Sequence, residues 1–262
     1  MRDNCVYSVS GSTIACGAVR EDSNSSIHPN LKTKNMNITI EDSTKLFFTS
    51  DLHFYHENII DYSSRPFREL STGQNAYYNF MAMKAGLPDE PIIPRLEQMH
   101  KAIISKWNNK IPKDGIVFIV GDFAFISNIK KIKELLDQLN GTKYLIFGNH
   151  DYQNKFDRQS IRELFIDTAD ILDVKILDDE ITDGFQWINL CHYPIESWSK
   201  KAKGSWHLHG HIHSGPLSSS SDGNIKFYPN RYDVGVDNNN FTPVSYQEVK
   251  TIITKQKLKG KK

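Results

Sequence analysis

Cysteine and net charge are both scarce in this sequence. Three cysteines (Cys5, Cys16 and Cys191) stand in 262 residues, odd in number and without metal-finger spacing, which argues against a disulfide framework and fits a reducing compartment. Lys+Arg at 32 against Asp+Glu at 31 leave a formal net charge of +1, so no overall field draws the chain toward nucleic acid, membranes or acidic surfaces. No apolar run approaches the roughly 18 residues that span a bilayer, and the N-terminus lacks the basic-then-apolar order of a secretory signal. A cytoplasmic protein without a membrane partner is expected. The basic end, "KQKLKGKK", reads as a solvated tail rather than a nucleic-acid arm. Oligomeric state leaves no mark in the sequence.

What is present is an alternation of buried-strand and helix patterns. The first 44 residues are rich in Ser, Asn and Thr with no sustained period, and read as a partly ordered or peripheral extension. From residue 45 to 262 a single domain is expected. "KLFFTSD", "GIVFIVGD" and "KYLIFGNHD" are apolar runs that end in Gly or Ser and then charge, the form of strands buried on both faces. Between them, "IPRLEQMHKAIISKWNNK" repeats apolar residues at helical spacing, and "SNIKKIKELLDQLNG" runs from a cap at Ser127 to Gly141. Strands alternating with helices give an α/β class. The shorter strands "FQWINLCHYP", "SWHLHGH" and "RYDVGVD" suit a second, partly antiparallel sheet. A stretch over about 70–94, with Tyr77, Tyr78 and Phe80, reads as an inserted lid or as a short helix packed on the surface.

Chemistry-bearing residues follow the strands. Asp51 and His53 come after the first, Asp122 after the second, Asn149, His150 and Asp151 after the third, His192 after "INLC", and His211 and His213 after "HLHG". In open α/β sheets the ligand site lies outside the carboxyl ends of the strands, so these five ends can converge on one crevice. Each fragment alone is weak; the mixed set of carboxylate, amide and imidazole is not. In "HLHGHIH" a histidine recurs at every second position, and Gly210 marks a bend or close approach. His207 and His209, before that bend, read as strand residues that help orient a ligand ring.

The ordered set "DLH", "GD", "GNHD", "CH" and "GHIH" resembles the calcineurin-like metallophosphoesterase superfamily, in the compact branch of bacterial and phage type. The resemblance runs from about Lys45 to His213, and "DVGVD" and "TPVSYQEV" look like the usual end of such members. It implies a four-layer α/β/β/α sandwich of two mixed sheets flanked by helices, with a dinuclear metal site at the strand ends. It further implies that Asp51, His53 and His213 hold one divalent cation, that Asn149, His192 and His211 hold the other, and that Asp122 bridges them. Imidazole and carboxylate donors without thiolate suit Mn, Fe, Zn, Co or Ni, and the resemblance favours manganese.

The reaction so implied is hydrolysis of a phosphoester by in-line attack of a metal-bridging hydroxide. Asn149 would help hold the phosphoryl oxygens and His150 would meet the leaving group, with Asp151 orienting the His150 imidazole. His56 and Arg65 are further substrate candidates, Arg65 through its planar fork. A phosphodiesterase acting on small nucleotide-like substrates is the leading expectation. A nucleotide pyrophosphate (phosphoanhydride) hydrolase, a phosphomonoesterase and a non-catalytic scaffold of the same fold are the alternatives.

Overall fold

The computed structural model describes residues 5–7, 37–67, 84, 94–151, 158–215 and 225–259. Two mixed sheets face each other. The first has the order β11-β3-β4-β5-β6, from Val244–Ser245, Leu46–Thr49, Ile116–Val120, Thr142–Ile146 and Thr168–Ala169. Within it β3 to β6 are parallel and β11 is antiparallel to β3. The second has the order β1-β2-β7-β8-β9-β10, from Cys5–Tyr7, Asn37–Ile40, Ile171–Leu177, Phe185–Cys191, Trp206–His209 and Arg231–Asp233. Only its β7 and β8 pair antiparallel.

Side-chain alternation along the strands divides the apolar residues between two cores. Leu46, Phe48, Ile116, Phe118, Tyr144 and Ile146 face the other sheet and meet Val174, Ile176, Ile188, Leu190 and Leu208 there. Phe48, Phe118 and Tyr144 form a ladder across three neighbouring strands, with ring centroids 5.9 and 4.9 Å apart. The intervening residues Phe47, Val117, Ile119 and Leu145 pack against helices α2 (Arg95–Lys110) and α3 (Ile129–Leu136) through Met99, Ile103, Trp107, Ile132 and Leu135. Strands covered on both faces must be apolar at every position, which is why "IVFIV" shows no alternation. Two short helices, α1 (Ile59–Tyr62) and α4 (Arg158–Arg162), follow the ends of β3 and β5. Helix α5 (Tyr246–Lys259) opens on a capping box in which Ser245 N donates to Glu248 at 2.7 Å and Glu248 N donates to Ser245 Oγ at 3.3 Å.

Two details differ from the sequence reading. Helix α3 is capped by Asn128, whose side chain accepts from Lys131 N at 3.2 Å, and not by Ser127. The second sheet also reaches into the segment expected to be an extension, because Ile38 and Ile40 of β2 turn into the intersheet core while the strand pairs with β7. The expected insert, with Tyr77, Tyr78 and Phe80, lies outside the described residues apart from Lys84 and Pro94. Among the described residues no helix is long and apolar enough to cross a membrane.

Candidate metal centre

Five strands end at one edge of the sandwich, where each delivers polar residues. β3 leads into Asp51 and His53, β4 into Asp122, β5 into Asn149 and His150, β8 into His192, and β9 into His211 and His213. The backbone leaves these strands sharply: Asp51, His53, Asp122, His211 and His213 all hold φ between 46 and 73°, a left-handed conformation that costs non-glycine residues energy and that clusters at functional sites. Cross-links hold the turns. Asp51 N donates to Gly121 O at 3.1 Å and His53 N to Asp122 O at 3.0 Å; His211 N donates to Asp51 Oδ1 at 3.0 Å; His150 N donates to Asp122 Oδ1 at 2.9 Å. Two glycines permit this approach. A Cβ on Gly148 would lie 2.2 Å from Asp122 Oδ1, and one on Gly210 would lie 2.3 Å from Asp51 Oδ2, so Gly210 is where the histidine-rich strand bends against the first carboxylate.

Around Asp122 the donors converge. His53 Nε2 lies 3.5 Å, His192 Nε2 3.4 Å and His150 Nε2 4.0 Å from Asp122 Oδ2. The ligand atoms of Asp51, His53 and His213 lie within 4.8 Å of one another, as do those of Asp51, Asp122 and His192. Asn149 Oδ1 lies 3.1 Å from His192 Nε2 and 3.0 Å from His211 Nδ1. Thus Asp51, His53 and His213 form one cluster and Asn149, His192 and His211 another, with Asp51 and Asp122 within reach of His192 as well. The rings are oriented from behind: His192 Nδ1 meets Val120 O at 2.9 Å, His213 Nδ1 meets Asp237 Oδ2 at 2.7 Å, and His53 Nδ1 faces His56 Nδ1 at 3.2 Å. Such contacts at one ring nitrogen leave the other free to bind a metal.

The electrostatics suit cations. Burial, and then the charges of His213, Arg65, His150 and His56, push His53 well below its usual pKa, so it stays a neutral donor; its Nε2 is buried without a hydrogen-bond partner. Burial opposes protonation of His192 as well, but Asp122 and Asp51 raise it to about 9. The same opposition holds at His213, where Asp51 and Asp237 win. Burial works to raise Asp122, yet His192 and His150 keep it below the usual carboxylate range. Two buried carboxylates that draw protons onto neighbouring imidazoles will bind metal in competition with those protons. A cation among them would give the orphaned His53 nitrogen a partner, and oxygen and imidazole donors without thiolate fit a divalent transition metal.

The sequence model of the family described as calcineurin-like phosphoesterase matches residues 44–240. The chain belongs to that family. The phosphoesterase is 29% identical over 216 residues to the uncharacterized protein MJ1445 of Methanocaldococcus jannaschii, a match covering 82% of this chain and 94% of that one. Its fold is similar to the crystal structure of the protein of unknown function AQ665 from Aquifex aeolicus, with a TM-score of 0.51 and 20% identity over 79% of this chain and 98% of that one. Family membership makes the protein a metal-dependent phosphoric ester hydrolase, and the His/Asp clusters give the phosphoesterase residues to hold divalent ions.

Four roles expected from the sequence change. Arg65 does not face substrate: its side chain is fully buried, bidentate to Asp237 at 2.9 and 2.9 Å, and donates to Asp51 O at 2.7 Å and Leu52 O at 3.2 Å. The guanidinium is held behind the first ligand strand because its fork matches a carboxylate buried beside it. Asp151 does not orient His150; its oxygens accept from Gly148 N, Asp122 N and Phe123 N at 2.8 to 3.0 Å. Burial and then the charge of Asp122 raise it to about 7, and it ties the end of β5 to that of β4. His56 is buried, stacked on Phe125 at 4.3 Å and turned toward His53, so it supports a ligand rather than lining the mouth. His207 and His209 are buried in β9. His207 Nε2 meets Tyr193 O at 3.1 Å and Ile195 N at 3.3 Å, and His209 Nδ1 meets Gly210 O at 3.0 Å, so both brace the backbone flanking ligands, not a ligand ring. Sequence reasoning missed Asp237. Its signal was the second aspartate of "DVGVD", read only as the end of the domain.

Proposed function

We propose that the protein is a phosphodiesterase that hydrolyses nucleotide-like diesters, with manganese as the favoured metal and the cytoplasm as its setting. Asp51, His53 and His213 would hold one cation and Asn149, His192 and His211 a second, with Asp122 shared. When bound, a pair of divalent cations polarises the phosphoryl group and makes hydroxide available near neutral pH.

The observation that carries the reading is the position of His150. Asp51, His53, Asp122 and His192 have side chains no more than 1% exposed, whereas His150 is 26% exposed. Its backbone N–H is fixed on Asp122 and its Nε2 points back toward the same carboxylate at 4.0 Å. The other ring nitrogen, Nδ1, is buried without a partner. An orphaned buried N–H is rarer than an orphaned lone pair, so an N–H belongs on Nε2, on the face toward the site. There it can donate a hydrogen bond to the departing oxygen and stabilise the charge that develops on it. Asn149, whose Oδ1 would serve the second cation beside His192 and His211, can offer its amide N–H to a phosphoryl oxygen. Diesters are favoured over monoesters by charge. Among the described residues, the Lys or Arg side chain felt at His53, His56 and His213 is Arg65, and its guanidinium is already engaged by Asp237, leaving it nothing to offer the second negative charge of a monoester.

The test compares initial rates on bis-p-nitrophenyl phosphate, p-nitrophenyl phosphate and a dinucleoside polyphosphate, with manganese and with EDTA. The diester is expected to turn over fastest and only with metal. Faster cleavage of the polyphosphate would make the protein a phosphoanhydride hydrolase, faster cleavage of the monoester a phosphomonoesterase, and no turnover on any of them would leave a scaffold.

A further inference from the structure

Tyr193 is a large aromatic side chain at the rim of the candidate metal centre, partly open to solvent. It follows His192 directly and is 43% exposed. Its ring stands edge-on to two ligand imidazoles, with centroids 4.7 Å from His211 and 5.2 Å from His192 at interplanar angles of 63 and 74°. The backbone beneath it is pinned from two sides. His207, wholly buried, sets Nε2 3.1 Å from Tyr193 O, and Arg231 donates to Pro194 O at 3.4 Å and Ile195 O at 3.2 Å. An aromatic residue anchored this firmly yet not buried leaves apolar area exposed to water, a cost that a planar ligand would remove by covering it.

We infer that Tyr193 is the platform on which the nucleobase of the substrate stacks while its phosphate sits at the metal centre. This rests on the proposed phosphodiesterase reading and names the part of the substrate that reading leaves open. The geometry restricts what fits. Both imidazoles meet the ring at steep angles, and its solvent-exposed part can accept a flat heterocycle of any sequence. Tyr193 is about one residue's reach from His192, within ~4 Å of chain, close enough for a base and its own 5′-phosphate to span from ring to metal site.

The experiment compares equilibrium binding of AMP and of ribose 5-phosphate to the manganese-loaded full chain by calorimetry, since the two differ only in the base. The wild type is expected to bind AMP roughly tenfold or more tightly, the order one stacked base contributes. Tyr193→Ala should erase that preference, and Tyr193→Phe should keep it. Metal bound per chain is measured in parallel: if Tyr193 merely packs against His211, the alanine variant will lose metal and both ligands together, and the platform is overturned. Equal binding of the two ligands by the wild type, no binding of either, or a preference that survives in the alanine variant would overturn it too. Metal-dependent cleavage of the p-nitrophenyl diester alongside any of these results leaves the phosphodiesterase reading standing and removes only the platform.

Discussion

Asp237 Oδ2 lies 2.7 Å from His213 Nδ1, while the same carboxylate receives both arms of Arg65. One buried side chain thereby fixes the ring of a ligand and the guanidinium that grips the backbone of Asp51 and Leu52. Asp237→Asn keeps the shape and removes the charge. Weakened cation affinity of roughly 10- to 100-fold is expected, the usual size for a lost partner behind a metal-binding histidine, measured by competition with a fluorescent chelator. Arg65, left buried without its counter-ion, should also lower stability by about 3–5 kcal/mol, read from urea unfolding of the metal-free protein.

His150 and Asp122 should separate chemistry from metal binding. Asp122→Asn is expected to lose bound metal and activity together, since the shared carboxylate is gone. His150→Ala should retain metal at the wild-type level while turnover falls by about 10²- to 10⁴-fold, as seen by elemental analysis beside steady-state rates. Metal loss in the alanine variant would make His150 a ligand, which its grouping with His53 and Asp122 also permits geometrically.

Gly148 offers a steric test. The Cβ of Gly148→Ala would have to share space with Asp122 Oδ1 at 2.2 Å and Asp122 N at 2.6 Å. The Asp122 carboxylate must then move. Loss of metal binding is expected with circular dichroism close to wild type.

Acid should destabilise the fold through histidines that are not themselves candidate metal ligands. Burial lowers His100 to about 4 and His207 to about 4; His100 Nε2 accepts from Tyr55 N at 2.8 Å, which requires the neutral ring. The unfolded chain takes up these protons near pH 6.5, so between 6.5 and 4 it binds more protons than the folded one. Their contribution is therefore whole above pH 6.5 and declines as pH falls toward 4. His100→Gln, which keeps an acceptor, should flatten this limb relative to wild type when urea midpoints of the metal-free protein are compared from pH 7.5 to 4.5.

The strands that carry ligands were legible because burial on both faces forces continuous apolar runs, and because a site at strand ends leaves its polar residues just after them. β3, β4, β5, β8 and β9 all show this. β2 and β7 were not: "NITI" is too short to stand out, and its burial follows from pairing with β7, more than a hundred positions away. The fate of Arg65 was hidden for the same reason. A planar cation near ligands reads equally well as a phosphate clamp until its carboxylate partner, 172 residues on, is known. Asp151 follows His150 in sequence but turns its oxygens to backbone amides, a choice made by local chain direction rather than residue type.

Because Asp237 secures both His213 and Arg65, the order of synthesis matters. The ribosome releases Arg65 172 residues before the aspartate that anchors it, so a nascent chain holds a buried-type arginine without its counter-charge and a half-set of donors until the C-terminal quarter emerges. The proposed donor set of the first cation is therefore complete and braced only late in synthesis, and fragments that stop short of Asp237 are expected to hold that cation more weakly.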